Sequence, residues 1–255
     1  MNTIEWKTDI HILAGTTLKD QTQKEDNNMA LHTGGDVNAI IGNRKQLCAS
    51  LGIALDQCVF AQQTHSDHIH CVTKEDIGKG AMTQASAIAD CDALYTRESN
   101  LLIGVFHADC VPVLLYDPIE NIIAAIHSGW QGTVKEITRK TLLHLIEKEH
   151  VDPANVKAYI GPAIGYRSFE VGKDVYQQIE QMSFDTSSYL TYLGNEKALV
   201  NHRGLNKQML LDLGVPMSSI TINKSDTFTP NEALFSYRRD HACGRHLSYI
   251  LRKDA

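Results

Sequence analysis

The chain has 255 residues, 24 Lys and Arg against 30 Asp and Glu, and a formal net charge of −6. That length can bury a full core, and the charge leaves no basic field to hold nucleic acid or an anionic membrane. One domain over 1–255, acting on a small neutral or locally steered molecule, is expected. The opening residues MNTIEWKTDIHILAG break each apolar run with a charge, and nowhere do about 18 apolar residues follow one another. A cytoplasmic protein is therefore expected. Its six cysteines, at 48, 58, 71, 91, 110 and 243, show no CxxC spacing and are expected to stay reduced, as core filler or as ligands and nucleophiles.

In chain order, the polar run KDQTQKEDNN (19–28) predicts a long loop near the N-terminus that covers a site. Apolar residues at 37, 40, 41, 47, 48 and 51 then follow helical spacing, with Asp36 as the N-cap. Arg44 falls on that stripe, so its guanidinium either snorkels outward or is paired with an anion. Residues 58–64, 101–106, 111–116 and 122–127 read as strands, two of them apolar throughout, as in sheet interiors. After His127 comes SGWQG, then Thr133-x-x-Glu136 as a capping box opening a helix whose N-terminus can receive an anion such as phosphate. The stretch 161–240 reads as mostly irregular. With no regular βαβ rhythm, the class is a layered α+β fold.

Four stretches combine ligand-type residues with tight turns: QQTHSDHIHC, ADCD, HADC and AAIHSGW. Cys91 and His107 read as locally packed, and His68 and His70 as solvent-facing or beside a strand. His65 and His127 end strand-like runs at turns, where functional loops begin. Cys110, ahead of VPVLLYD, fits either a core thiol or a ligand. Two histidines and one cysteine from separate segments make a His₂Cys set, a donor combination of catalytic zinc, although the spacing matches no short zinc pattern.

QTHS with His65, CDALYT with Asp92, HADCVPVLLYDP with Cys110, AAIHSGWQGT with His127, IGPAIGYRSFEVG and SYRRDHACGR stand in order along the chain. Together, from about Asn28 to Arg245, they resemble the laccase-domain purine nucleoside phosphorylases of the YfiH/YlmD type, also described as multicopper polyphenol oxidases. The resemblance implies an α+β four-layer αββα sandwich with mixed sheets. It implies a cytoplasmic zinc enzyme that phosphorolyses adenosine, inosine and S-methyl-5′-thioadenosine and also deaminates adenosine. Its metal ligands carry over to His65, Cys110 and His127. Its site asparagine and arginine match Asn28 in NNMALH and Arg44 in GNR, with Arg44 as a phosphate partner and Asn28 as a polar contact to substrate. The chain departs from the family pattern at TTL (16–18), where Leu18 follows the first strand without the usual arginine, at Gln131, and at Arg167 and Ser168.

Zinc on such a triad keeps one position open for water or a substrate oxygen. Three other classes compete. A copper oxidase would use the same donors, but its cluster needs many H-x-H pairs and only His68-Ile-His70 is present. A metal-free hydrolase would use Cys110 as nucleophile and His127 as base, on an amide such as one in a cell-wall precursor. A non-catalytic binding module would close the zinc with a fourth protein ligand.

Overall fold

A computed structural model describes residues 2–230 and 233–254. Strands β1 (Thr3–Glu5) and β2 (Ile12–Thr17) precede helix α1 (Val37–Ser50). Then come β3 (Cys58–Val59), β4 (Ile69–Cys71), β5 (Ala93–Thr96), β6 (Leu102–His107), β7 (Val111–Asp117) and β8 (Ile122–Ser128). Helices α2 (Trp130–Val134) and α3 (Ile137–Glu149) lead to β9 (Lys157–Ile160) and β10 (Glu170–Gly172). The rest of the chain forms α4 (Lys173–Glu180), β11 (Leu190–Gly194), β12 (Lys197–Val200), α5 (His202–Asp212), β13 (Ile220–Ile222) and β14 (His246–Arg252).

Two large sheets organise these elements, in the orders β1-β2-β14-β6-β3 and β13-β9-β7-β8-β5-β4. Both are mixed: β3 runs parallel to β6, β4 to β5 and β13 to β9, and the other neighbours are antiparallel. Side chains alternate across each strand. Ile103, Val105 and Ile250 of the first sheet therefore meet Leu114, Ile123 and Ala125 of the second in a shared core. The second sheet's opposite face, with Val113, Leu115, Ala124 and Ile126, packs on Ile137, Leu142 and Leu145 of α3 and Leu210 of α5. The outer face of the first, with Leu102, Phe106, Leu247 and Leu251, packs on Leu47 and Cys48 of α1. The layers run helix, sheet, sheet, helix, which is the expected αββα sandwich. Being buried on both faces is what makes β6, β7 and β8 read as apolar runs.

Several expectations need correction. The predicted strand over 58–64 ends at Val59. Beyond it, side chains displace the strand ladder: the Gln63 amide exchanges two hydrogen bonds with the Phe106 backbone, and Asp92 takes the N–H groups of Thr64 and Ser66. The capping box at Thr133 is absent. Helix α2 starts at Trp130 behind Gly129, and Glu136, at φ 59°, breaks the path before α3. Its carboxylate bonds Ser183 and Arg139 instead. The stretch 161–240 is more regular than predicted, because β10, β12 and β11 form an antiparallel sheet that closes a fourth core with α4 and α5. The polar loop of 19–28 is pinned on α1, where the Asn43 amide donates to the carbonyls of Lys24 and Asn28.

Candidate metal centre

The pairing of β7 with β8 sets two of the candidate ligands side by side. Val111 stands opposite Ser128 and Pro112 opposite His127, so Cys110, just ahead of β7, lies at the same sheet end as His127. His65 arrives from the loop after β3 with φ 60°, a left-handed conformation that turns the chain sharply. One ligand atom from each of His65, Cys110 and His127 lies within 4.8 Å of the others. The His65 Nε2 is 3.9 Å from the Cys110 Sγ, and the two imidazoles meet edge to face at 5.0 Å. Gly129 makes this approach possible: a Cβ there would stand 2.4 Å from the His65 Cδ2 and 3.1 Å from the Cys110 Sγ.

Asp92 orients the cluster. It is 1% exposed, and its Oδ1 is 2.8 Å from the His127 Nδ1. Its Oδ2 accepts from the Thr64 and Ser66 backbone N–H groups and the Ser66 hydroxyl, gripping the chain on both sides of His65. One carboxylate thus fixes two ligands, and with Nδ1 engaged, His127 offers Nε2 to the cluster. Burial alone would raise the Asp92 pKa, but His127 and the Ser66 and Thr64 donors bring it down to about 2.

Burial likewise works against ionising Cys110, yet His127 and His65 beside its sulfur outweigh it and lower the thiol to about 6. His127 loses solvation too, but Cys110 and Asp92 push it up to about 9. In the metal-free protein the pair therefore rests as thiolate and imidazolium at neutral pH. Iodoacetamide should label Cys110 of that protein with a midpoint near pH 6, slowing as pH falls below it and reaching a plateau above it. Site-resolved mass spectrometry against pH checks this; a midpoint near 9 at Cys110 would contradict it.

Two cavities meet at the cluster, sharing His65, Ala108, Cys110 and Tyr237. One, of about 290 Å³, is lined by Trp130, Phe169, His202 and Tyr237, together with Asp109 and Arg238. The other, of about 360 Å³, is lined by His32, Gln63, His107 and Arg245 among others.

Asn28 and Arg44 are not brought to either cavity. Asn28 is buried, and its Oδ1 accepts from the N–H groups of Ala30 and Arg245 while its Nδ2 donates to Thr33. Arg44 is 1% exposed, which rules out snorkelling, and its head meets carbonyls where an anion was expected. Its Nε donates to Met29 and its Nη1 to Gly80 and Ala81, all at 2.7 to 2.8 Å. The rings of Phe60 and Phe106 flank it at 4.9 and 4.8 Å. Burial lowers its pKa to about 10, which still leaves it charged at neutral pH. Arg44→Ala strands three buried carbonyls and should cost about 2–4 kcal/mol, seen as a lower thermal midpoint with metal content unchanged. An unchanged midpoint would contradict this.

Of the other candidates, His68 and His70 face Asp90 and Asp76, and the Cys91 thiol donates to the Ala93 carbonyl. His107 lies in the second cavity, made cationic by Arg245, and is buried with Nε2 on the Ser248 hydroxyl. Asp92 and Arg245 received no role from the sequence, although both lie inside quoted motifs.

A mixed αββα sandwich with a His₂Cys cluster at the end of a central strand pair defines the class. The chain belongs to the family described as multi-copper polyphenol oxidoreductase laccase, whose model matches residues 16–253. Among its relatives is the purine nucleoside phosphorylase YlmD of Bacillus subtilis, 30% identical over 249 residues that cover 96% of this chain and 90% of that one. YlmD of Geobacillus stearothermophilus, also named a purine nucleoside phosphorylase, is 32% identical over 230 residues, 89% of this chain and 84% of its own. The crystal structure of the hypothetical protein YfiH of Bacillus licheniformis matches with a TM-score of 0.92 at 32% identity, covering 95% of this chain and 93% of its own. That of YlmD from Geobacillus stearothermophilus matches at 0.91 and 29% identity, covering 99% of this chain and all of its own. The resemblance to the YfiH/YlmD type is therefore borne out. No helix among the described residues is long and apolar enough to cross a membrane.

Proposed function

We propose that the protein is a cytoplasmic, zinc-dependent purine nucleoside phosphorylase acting on adenosine, inosine and S-methyl-5′-thioadenosine, with adenosine deamination as a side activity. The observation that carries this reading is the convergence of His65, Cys110 and His127 where an aromatic and a cationic cavity meet. The names of the relatives support it independently.

The donor set suits zinc: one thiol already inclined to ionise, two imidazoles, and a carboxylate behind His127. His65, Cys110 and His127 would hold the zinc, which would supply Lewis-acid chemistry there. Copper suits the residues less well, since His68 and His70 turn to Asp90 and Asp76. Trp130, Phe169 and Tyr237 offer faces on which a purine can stack. Asn28 and Arg44 act from behind, holding the backbone of Arg245 and Met29 beside the cationic cavity.

Adenosine given to the zinc-loaded protein with phosphate should yield adenine and ribose 1-phosphate, with inosine as the minor product. Inosine alone would reassign the site to deamination, and intact adenosine would reject the reading. The lowered Cys110 thiol beside His127 favours one second reading, a thiolate hydrolase of an amide such as one in a cell-wall precursor. Activity that survives complete chelation would select it.

A further inference from the structure

Phosphorolysis needs a place for a doubly charged anion, and in a chain of net charge −6 that place must be kept free of carboxylates. The two cavities at the cluster differ in this respect. The aromatic one carries Asp109, whereas among the described residues no Asp or Glu lines the other, where Arg245 stands with His32, Gln63 and His107. Its polar groups are incompletely used. The Arg245 Nη1 donates to the carbonyls of Cys243 and Gly244 at 2.5 and 3.1 Å, and the Tyr237 ring lies 5.2 Å from its Cζ. These contacts fix the guanidinium plane, while Nε and Nη2 make no hydrogen bond among the described residues. His107 is 1% exposed, and its Nδ1 has no partner among the described residues. The His32 ring packs on Phe106 and makes no hydrogen bond among the described residues.

We infer that this cavity is the oxyanion subsite, where inorganic phosphate is held by the planar fork of Arg245 with the His32 and His107 rings as further polar contacts. The inference rests on the phosphorylase reading and assigns its second substrate to a wall. The cation comes from the C-terminal loop, clamped by Asn28, and not from the positions now held by Leu18 and Gln131. From there a phosphate oxygen forms a bond to the ribose C1′ as the C1′–N9 bond breaks. The electron pair leaves on the purine and the hydrogenphosphate proton ends there, so inosine and phosphate give ribose 1-phosphate and hypoxanthine with no other reactant.

Calorimetric titration of inorganic phosphate into metal-loaded wild type and R245Q, with steady-state phosphate and inosine KM values, tests the subsite. R245Q should weaken phosphate, in Kd and KM, by about tenfold or more and leave inosine within about twofold, with R245K between the two. Unchanged phosphate affinity, or a loss confined to inosine, would overturn the proposal. Should the variants not fold, phenylglyoxal labelling of Arg245 in the wild type replaces them: phosphate should slow it, and no protection would overturn the subsite. Arg245-dependent phosphate binding without inosine cleavage would sink the phosphorylase reading and keep the subsite. Phosphate-dependent cleavage indifferent to R245Q would do the reverse.

Discussion

Cys110→Ala is expected to fold and to lose its metal, with inosine phosphorolysis falling by well over a hundredfold. Cys110 is a half-buried residue and its sulfur neighbours His65 and His127, so the change removes a ligand and little core volume. A group behind a ligand is typically worth ten- to a hundredfold in metal affinity or activity, and a ligand itself is worth more. Serine should not rescue, because its hydroxyl stays protonated where the Cys110 thiol, lowered to about 6, ionises. Elemental analysis and thermal melting of the metal-free forms check both halves. Stoichiometric metal in Cys110→Ala would reject the assigned ligand set.

Asp92→Asn carries the second-largest effect, at unchanged shape. The carboxylate accepts from the His127 Nδ1, which leaves Nε2 as the free ligand atom. An amide nitrogen placed at Oδ1 would instead donate to Nδ1, driving the imidazole proton onto Nε2 and blocking coordination. If the amide flips, its nitrogen faces the Thr64 and Ser66 N–H groups, and the loop bearing His65 loses its acceptor. Either orientation damages one ligand. Metal affinity should fall by about ten- to a hundredfold, measured by competition with a chelator of known affinity. Wild-type affinity in this variant would show that the carboxylate does not orient the site.

The legible parts of the fold are those whose determinants are local or repeated. Strands β6, β7 and β8 announce themselves because both faces are buried, and α1 because Asp36 caps it, its carboxylate accepting from Asn38 and Ala39. Strands β4, β10 and β13, three residues each, carry too little pattern to stand out. Residues 60–64, just ahead of His65, read as strand because nothing local shows that Gln63 and Asp92 will claim that backbone.

Within the site, residue types and turn positions single out His65, Cys110 and His127, while their meeting depends on the register of β7 and β8. Arg44 was visible as an anomaly on an apolar stripe. Its partners were not, because they are main-chain carbonyls at Met29, Gly80 and Ala81. Asp92 and Arg245 escaped for a related reason: a carboxylate or guanidinium acquires its role from a neighbour far along the chain.

The central claim is that this site cleaves the nucleoside with phosphate. ³¹P NMR of inosine with the zinc-loaded protein, with free hypoxanthine followed by chromatography in the same samples with and without inorganic phosphate, tests it most directly. The expected result is a ribose 1-phosphate signal that grows in step with free hypoxanthine and no hypoxanthine when phosphate is omitted. Equal hypoxanthine in both samples, with no phosphorylated sugar, would contradict it and make the reaction a hydrolysis.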